Sequence, residues 1–204
     1  MKDFSQAEIS RRLAEALQQT GDVVAPEYPD LPEYLSHSPV PAAVLLPLFR
    51  KENGWHLLFI RRTVDQHEHS NQVAFPGGRA DPQDATVEQT ALREAEEEIG
   101  LQPGKVQVLG RMRTYITVTH YRVTPVVGVI PWPYPFHLAL KEVSRIFTIP
   151  LAWLADPENH EVRMRALPEP FAKIPVVYFN PYDGEVLWGA SALFTLALLE
   201  ILNS

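Results

Sequence analysis

Cysteine is absent from all 204 residues, which rules out disulfides, thiolate catalysis and cysteine-ligated zinc. Also missing is any apolar run approaching the ~20 residues that a membrane span needs. The N-terminal MKDFSQAEIS has none of the basic-then-apolar layout of a secretory signal. A cytoplasmic protein with no membrane association is the expectation. Positive charge is in short supply: 18 lysines and arginines against 25 acids leave a formal charge of −7. Broad electrostatic attachment to nucleic acid or to an anionic membrane is therefore excluded, and an anionic ligand has to be held by a few local cations. No internal repeat or low-complexity tract occurs. What is present, 46% apolar and 21% charged residues, is enough for one sizeable core, so one domain with decorations is expected.

Ile9, Leu13 and Leu17 recur at helical spacing ahead of Gly21, which predicts a short amphipathic helix with its stop. The stretch APEYPDLPEYLSHSPVP that follows is too rich in proline for a helix or a central strand. Residues 1–41 are accordingly read as an N-terminal helix and a proline-rich strap, with the main domain spanning 42–204. From Ala42 the pattern turns to short apolar runs, AAVLLPLF, WHLLFI, QVAF, VQVLGRM, VTPVVGVI and IPVVYF, which read as strands. Two helical segments interrupt or close them: one from about Thr86 to Ile99, capped by Gly100, and the terminal ASALFTLALLEIL. This order predicts an α/β fold with a mixed sheet between helices.

The helix ending at Ile99 closes on REAEEEIG, residues 93–100, a poor ending by electrostatics. Carboxylates at a helix C-terminus oppose the macrodipole at roughly 0.3–1 kcal/mol each, and like charges at helical spacing cost about 0.2–0.5 kcal/mol more. Glu94, Glu97 and Glu98 project from one face, Glu96 points elsewhere, and Ala91, Ala95 and Ile99 repeat every fourth residue to pack on a sheet. Most glutamate runs are solvated charged faces. A hard divalent cation would reverse both costs, and an oxygen-only ligand set with open positions suits Mg²⁺ or Mn²⁺ completed by substrate phosphates. Gly77 and Gly78 lie between the strand-like QVAF and this helix, where a turn lets the backbone approach a ligand closely. Loop and helix can then converge on one metal and one phosphate chain.

Gly78 to Leu101, GRADPQDATVEQTALREAEEEIGL, resembles the Nudix box, whose pattern is G-x5-E-x7-REUxEExGU with U apolar. Arg93, Glu94, Ala95, Glu97, Glu98, Gly100 and Leu101 fall in register, with alanine at the first apolar position. Asp84 stands at the place of the family's first glutamate, and eight residues instead of seven separate it from Arg93. That one-residue insertion resembles the coenzyme A pyrophosphatase branch. Residues 58–78, LFIRRTVDQHEHSNQVAFPGG, are likewise similar to the coenzyme A signature, with Arg62, Thr63, Phe75, Pro76, Gly77 and Gly78 in place. His67 stands where the signature has arginine, and Asn71 where it has glycine. EVSRIFTIPLAWL and LWGASA extend the likeness, which runs loosely from Leu57 to the C-terminus.

This resemblance implies an α/β/α sandwich and divalent-metal-dependent hydrolysis of a nucleoside diphosphate linked to another group, by attack of water on phosphorus. For the coenzyme A branch the substrate is coenzyme A or its thioesters, and the products are 3′,5′-ADP and 4′-phosphopantetheine or its acyl form. ADP-ribose, dinucleotides and other nucleoside diphosphate derivatives stay as alternatives, as does a nucleotide sensor without hydrolysis. Residue by residue, it implies Glu97 and Glu98 as metal ligands beside a carbonyl of Gly77–Gly78, with Glu94 a further ligand or a base for the attacking water. Arg93 then orients these carboxylates by charge-assisted hydrogen bonds. Glu142, which opens the matched EVSRIF segment, is the candidate base on a separate loop, with His120 second.

Arg62, His67, Gly77, Gly78 and Arg113 are the expected substrate contacts, with Arg61 and Arg111 alongside; each arginine equally suits an exposed strand edge. Zinc on His67 and His69 is set aside for want of a third nitrogen or sulfur at a recognisable spacing. WPYPF, residues 132–136, suits an adenine stack or a proline-fixed loop packing its own aromatics. The expected partner is a small-molecule nucleotide, with a homodimer left open.

Overall fold

The computed structural model describes residues 3–21, 23–24, 38–63, 71–166 and 173–204. His67, His69 and residues 25–37 of the proline-rich strap lie outside the described residues. Helix α1 (Gln6–Thr20) begins at Ser5, whose hydroxyl accepts the Glu8 amide while the Glu8 carboxylate accepts the Ser5 amide. This reciprocal cap satisfies two amides that the first turn leaves unpaired.

Among the described residues nine strands form one mixed sheet: β1 (Val23–Val24), β2 (Val40–Lys51), β3 (Gly54–Arg62), β4 (Val73–Ala74), β5 (Gly77–Arg79), β6 (Gln107–Arg111), β7 (Thr114–Ile116), β8 (Tyr121–Val129) and β9 (Val143–Pro150). Their order is β1-β7-β8-β2-β3-β4, with β5 added to β2, β6 to β8 and β9 to β3. β2 and β8 run parallel, whereas β3 is antiparallel to both β2 and β9. A separate antiparallel pair, β10 (His160–Ala166) and β11 (Lys173–Phe179), stands apart from this sheet.

Helices cover both faces, which is why AAVLLPLF runs apolar without alternation. Ala43, Leu45 and Phe49 of β2 and Leu58 and Ile60 of β3 bury against Ala91, Ala95 and Ile99 of α2 (Val87–Ile99). Their strand neighbours Leu46, Leu48, Leu57 and Phe59 face the other way. They meet Ile9 and Leu13 of α1, Leu151 and Leu154 of the short α3 (Leu151–Leu154), and Phe194 and Leu198 of α4 (Gly189–Asn203). The result is the expected α/β/α sandwich around a mixed sheet. Among the described residues no helix is long and apolar enough to cross a membrane.

Three details differ from the sequence reading. Gly77 and Gly78 are not a turn but part of β5, paired with β2 from Ala42 to Val44. IPVVYF pairs with β10 and not with the main sheet. β10 is a strand the sequence reading did not name: Glu161 to Ala166 alternate polar and apolar residues, but every one of them is exposed. The WPYPF segment packs in part on its own aromatics, Tyr134 meeting Phe136 at 5.0 Å, and in part on the sheet, where Trp132 stacks on Phe49 of β2 at 4.2 Å.

Candidate active site

Helix α2 is set at both ends by its own sequence. The Thr86 hydroxyl accepts the Gln89 amide at 3.2 Å, and Gly100 turns left-handed (φ 68°), donating its amide to the carbonyls of Ala95 and Glu96. A Cβ at Gly100 would stand 3.0 Å from His137 Cβ, so glycine also lets the next segment close on the helix end. There His137 donates to the Ile99 carbonyl at 3.0 Å and Ala139 to the Glu98 carbonyl at 2.9 Å, satisfying carbonyls that a helix end leaves unpaired. The same segment turns back through a Glu142 amide bond to Ala139, and Thr63 donates its amide to the Glu142 carbonyl at 2.9 Å.

Glu98 is 1% exposed. One of its oxygens accepts the Gly77 amide at 2.9 Å, and the other lies 3.5 Å from Arg62 Nη1. Burial pushes its carboxyl up to about 7, against the opposing pull of Arg62 and the Gly77 amide. Glu94 is packed over Gly78 so closely that a Cβ there would stand 2.3 Å from its carboxylate oxygen. Burial also raises the Glu94 carboxyl, Arg93 opposes that rise, and the charge of Glu142 adds to the rise in both Glu94 and Glu98. Glu142 is therefore near enough to act on the cluster, although it comes from a different element.

Arg93 organises the rest. Its Nη1 donates to Glu94 at 2.7 Å and to Glu97 at 3.1 Å, its Nη2 to the Arg79 carbonyl at 2.9 Å and to Asp84 at 3.0 Å, and its Nε to Asp84. The guanidinium holds Asp84 down at about 2, and Asp84 raises Arg93 in return. The role of Asp84 was not legible in the sequence because one extra residue displaces it from the box spacing. Asp84 sits in a tight turn, where its amide donates to the Asp81 carbonyl, its carboxylate accepts the Asp81 amide, and the Asp81 carboxylate accepts the Gln83 amide. Glu96 is exposed, as expected.

The donor chemistry fits a hard divalent cation: Glu94, Glu97 and Glu98 offer oxygen alone, one of them buried where an ionised carboxylate is unfavourable without a counter-charge. As the side chains stand, no three acidic or histidine groups among the described residues are close enough to hold an ion. Arg93 is the reason, since Glu94 and Glu97 converge on its Nη1 while Glu98 takes the Gly77 amide. Glu97, with its side chain 60% exposed, is free to turn toward the other two.

The raised Glu98 carboxyl gives a pH dependence of definite sign. A carboxyl lifted in the folded state stabilises most below its unfolded value of 4.5, and that contribution disappears as pH rises through about 7. Urea unfolding of the metal-free protein at pH 5 and pH 8 should show a loss at the higher pH on the order of 2–3 kcal/mol. Glu98→Gln should flatten the difference; an unchanged difference would remove Glu98 as its source.

Arg62 reaches the cluster because the β3–β9 register shifts between Arg61 and Arg62, and such a bulge re-aims a side chain. Arg61 turns away, to Glu185 at 2.6 Å and to the Asn71 side chain at 2.9 Å. Asn71 itself has φ 60°, the left-handed region that glycine and asparagine adopt most readily. Its departure from the glycine of the coenzyme A signature thus keeps the required backbone. Asn71→Gly is expected to change unfolding free energy by less than about 1 kcal/mol, measured in urea; a larger loss would mean that the side-chain bond to Arg61 dominates.

Arg113 is not brought to the cluster. Its guanidinium lies over Tyr115 and lines a cavity with Leu13 and Leu17 of α1 and Glu200 of α4, on the opposite face of the sheet from α2. Arg111 instead faces Glu88 at 3.8 Å. His120 sits with φ 62° in the β7–β8 turn, where its carbonyl accepts the Val40 amide.

A family model described as NUDIX domain matches residues 39–180. A protein of Escherichia fergusonii named "Uncharacterized Nudix hydrolase NudL" is 47% identical over 111 residues, covering 54% of this chain and 57% of that protein. Its namesake in Photorhabdus laumondii is 38% identical over 169 residues, covering 81% of this chain and 87% of that protein. The crystal structure of a MutT/nudix family protein from Enterococcus faecalis covers 97% of this chain and 73% of that one, with a TM-score of 0.51 at 17% identity, a likeness of fold alone.

Proposed function

The chain belongs to the NUDIX domain family, and from that premise we propose that it is a divalent-metal-dependent pyrophosphohydrolase acting on coenzyme A or its thioesters. One observation carries the reading. Three carboxylates share one helix face; two of them are held by a single arginine that also ties down Asp84, and the third, Glu98, is buried against the Gly77 amide without a full counter-charge.

In this reading Glu94, Glu97 and Glu98 hold Mg²⁺ or Mn²⁺, which supplies neutralisation of the diphosphate charge and activation of water. Arg62, 3.5 Å from Glu98, borders the site as a charge for a phosphate oxygen. Gly77 contributes through its amide, which fixes the Glu98 carboxylate, and Gly78 through the room it leaves for Glu94. Glu142 takes the proton of the attacking water at its carboxylate as the new oxygen–phosphorus bond forms. The bridging phosphorus–oxygen bond then breaks, and its electron pair leaves on the departing phosphate. Arg93 contributes orientation, because its donors fix Glu94 and Glu97 relative to the Arg79 carbonyl and Asp84.

ADP-ribose or a dinucleotide as substrate is the second reading, motivated by His67 standing where the coenzyme A signature has arginine. The test is incubation of the purified chain with Mg²⁺ or Mn²⁺ and a panel of diphosphate compounds, with products identified by mass spectrometry. Release of 3′,5′-ADP from coenzyme A, faster in His67→Arg, is expected. Preferential cleavage of ADP-ribose would replace the substrate, and no turnover of any compound would favour a nucleotide sensor.

A further inference from the structure

β10 is an outer strand. β11 pairs with one of its edges and, among the described residues, no strand pairs with the other. Register sets Val162 opposite Val177 and Met164 opposite Pro175, so Val162 and Met164 share a face. Both stand in solvent, 61% and 62% exposed. Glu161, Arg163 and Arg165 share the other face, where Arg163 bonds to Glu161 and lies over the Tyr178 ring. An open edge with solvated apolar side chains is a template for another strand.

We propose that this edge pairs with β10 of a second copy of the chain, antiparallel about a two-fold axis through Val162. Pairing identical strands about such an axis keeps each side chain on its own face, so the axis has to pass through a residue and only a few registers compete. An axis through Arg163 also sets Glu161 opposite the partner copy's Arg165 but opposes the two Arg163 side chains at its centre, and one through Met164 sets Arg163 against the partner copy's Arg165 twice. Like charges directly opposite destabilise a strand pair. The axis through Val162 sets Glu161 opposite the partner copy's Arg163 twice over and brings the two Val162 side chains together. Charge thus selects one register, and the resulting contact is self-complementary, as a two-fold interface must be. Two hairpins then join into one four-stranded sheet. The contact is shorter than a standard interface, which makes the association a weak, transient one.

The absence of cysteine makes a direct test free of background. Directly opposed residues in an antiparallel pair have Cα atoms roughly 4.5–5.5 Å apart, within the span of a disulfide. Full-length Val162→Cys under mild oxidation should run mainly as a covalent dimer on a non-reducing gel. Met164→Cys, which faces His160 in this register, should stay largely monomeric. Equal cross-linking of both, or of neither, overturns the proposal. Sedimentation equilibrium gives the second arm: Glu161→Arg should weaken association by about tenfold or more, and Glu161→Arg combined with Arg163→Glu should recover it to within about threefold. A wild-type chain that is monomeric at about 1 mM also overturns the proposal.

Discussion

Glu97→Gln is expected to lower kcat by about a thousandfold or more while leaving cooperative unfolding almost unchanged. Two features of Glu97 lead to this contrast. Its side chain is 60% exposed and its bond is to Arg93, at 3.1 Å. An exposed ion pair of this kind is worth roughly 0–1 kcal/mol, and removing the charge also relieves repulsion from Glu94 and Glu98. The fold therefore loses little. A glutamine in its place keeps the shape but withdraws an anionic oxygen from the proposed ion site, where every carboxylate counts. Steady-state turnover at saturating Mg²⁺, alongside urea unfolding, separates the two effects; wild-type turnover would sink the site assignment. Glu142→Gln provides the comparison. A lost base lowers kcat by about 10²–10⁴ without shifting the metal concentration for half-maximal rate, and a shift in that concentration would reassign Glu142 as a ligand.

Gly77→Ala acts the other way round, on the fold first. A Cβ there would stand 2.4 Å from the Ala43 carbonyl oxygen and 2.6 Å from Val44 Cα, both backbone atoms of a central strand. Neither can rotate aside, so β5 has to part from β2. Overpacking of this kind costs about 1–3 kcal/mol, and displacing the Gly77 amide leaves a buried carboxylate short of a donor, which adds a comparable amount. A loss of roughly 3 kcal/mol or more in urea unfolding is expected, accompanied by loss of turnover. Gly78→Ala is the sharper probe of the site, because its Cβ meets the Glu94 carboxylate, a side chain able to move. It should spare stability and reduce turnover. If Gly77→Ala proves as stable as the wild type, the close packing of β5 on β2 is wrong.

The contrast between neighbouring glycines shows where sequence reasoning reached and where it stopped. Helix α2 was legible to within a residue, since Thr86, Gly100 and the four-residue spacing of Ala91, Ala95 and Ile99 are local signals. So were the covered faces of β2 and β3, because burial on both sides leaves unbroken apolar runs. Gly77–Gly78 read as a turn because the reason for glycine, the β2 backbone from Ala42 to Val44, is distant in sequence. Asp84 was obscured by one inserted residue between it and Arg93, although its bonds to Arg93 are kept. Asn71 looked like a broken signature until its left-handed backbone showed what the position requires. Arg113 stands away from the acidic cluster for a plainer reason: the sequence marks a charged residue at a strand edge but not which layer of the sandwich it joins.

The bonds from His137 and Ala139 to the last carbonyls of α2 bear on how the site moves. They fasten the segment leading to Glu142 onto the helix that carries the other three carboxylates, so the two travel as one rigid body. The end of β3 is tied to the same segment, since Thr63 donates its amide to the Glu142 carbonyl, so the spacing between the proposed proton acceptor and the acidic cluster is set by backbone hydrogen bonds and not by a side-chain contact.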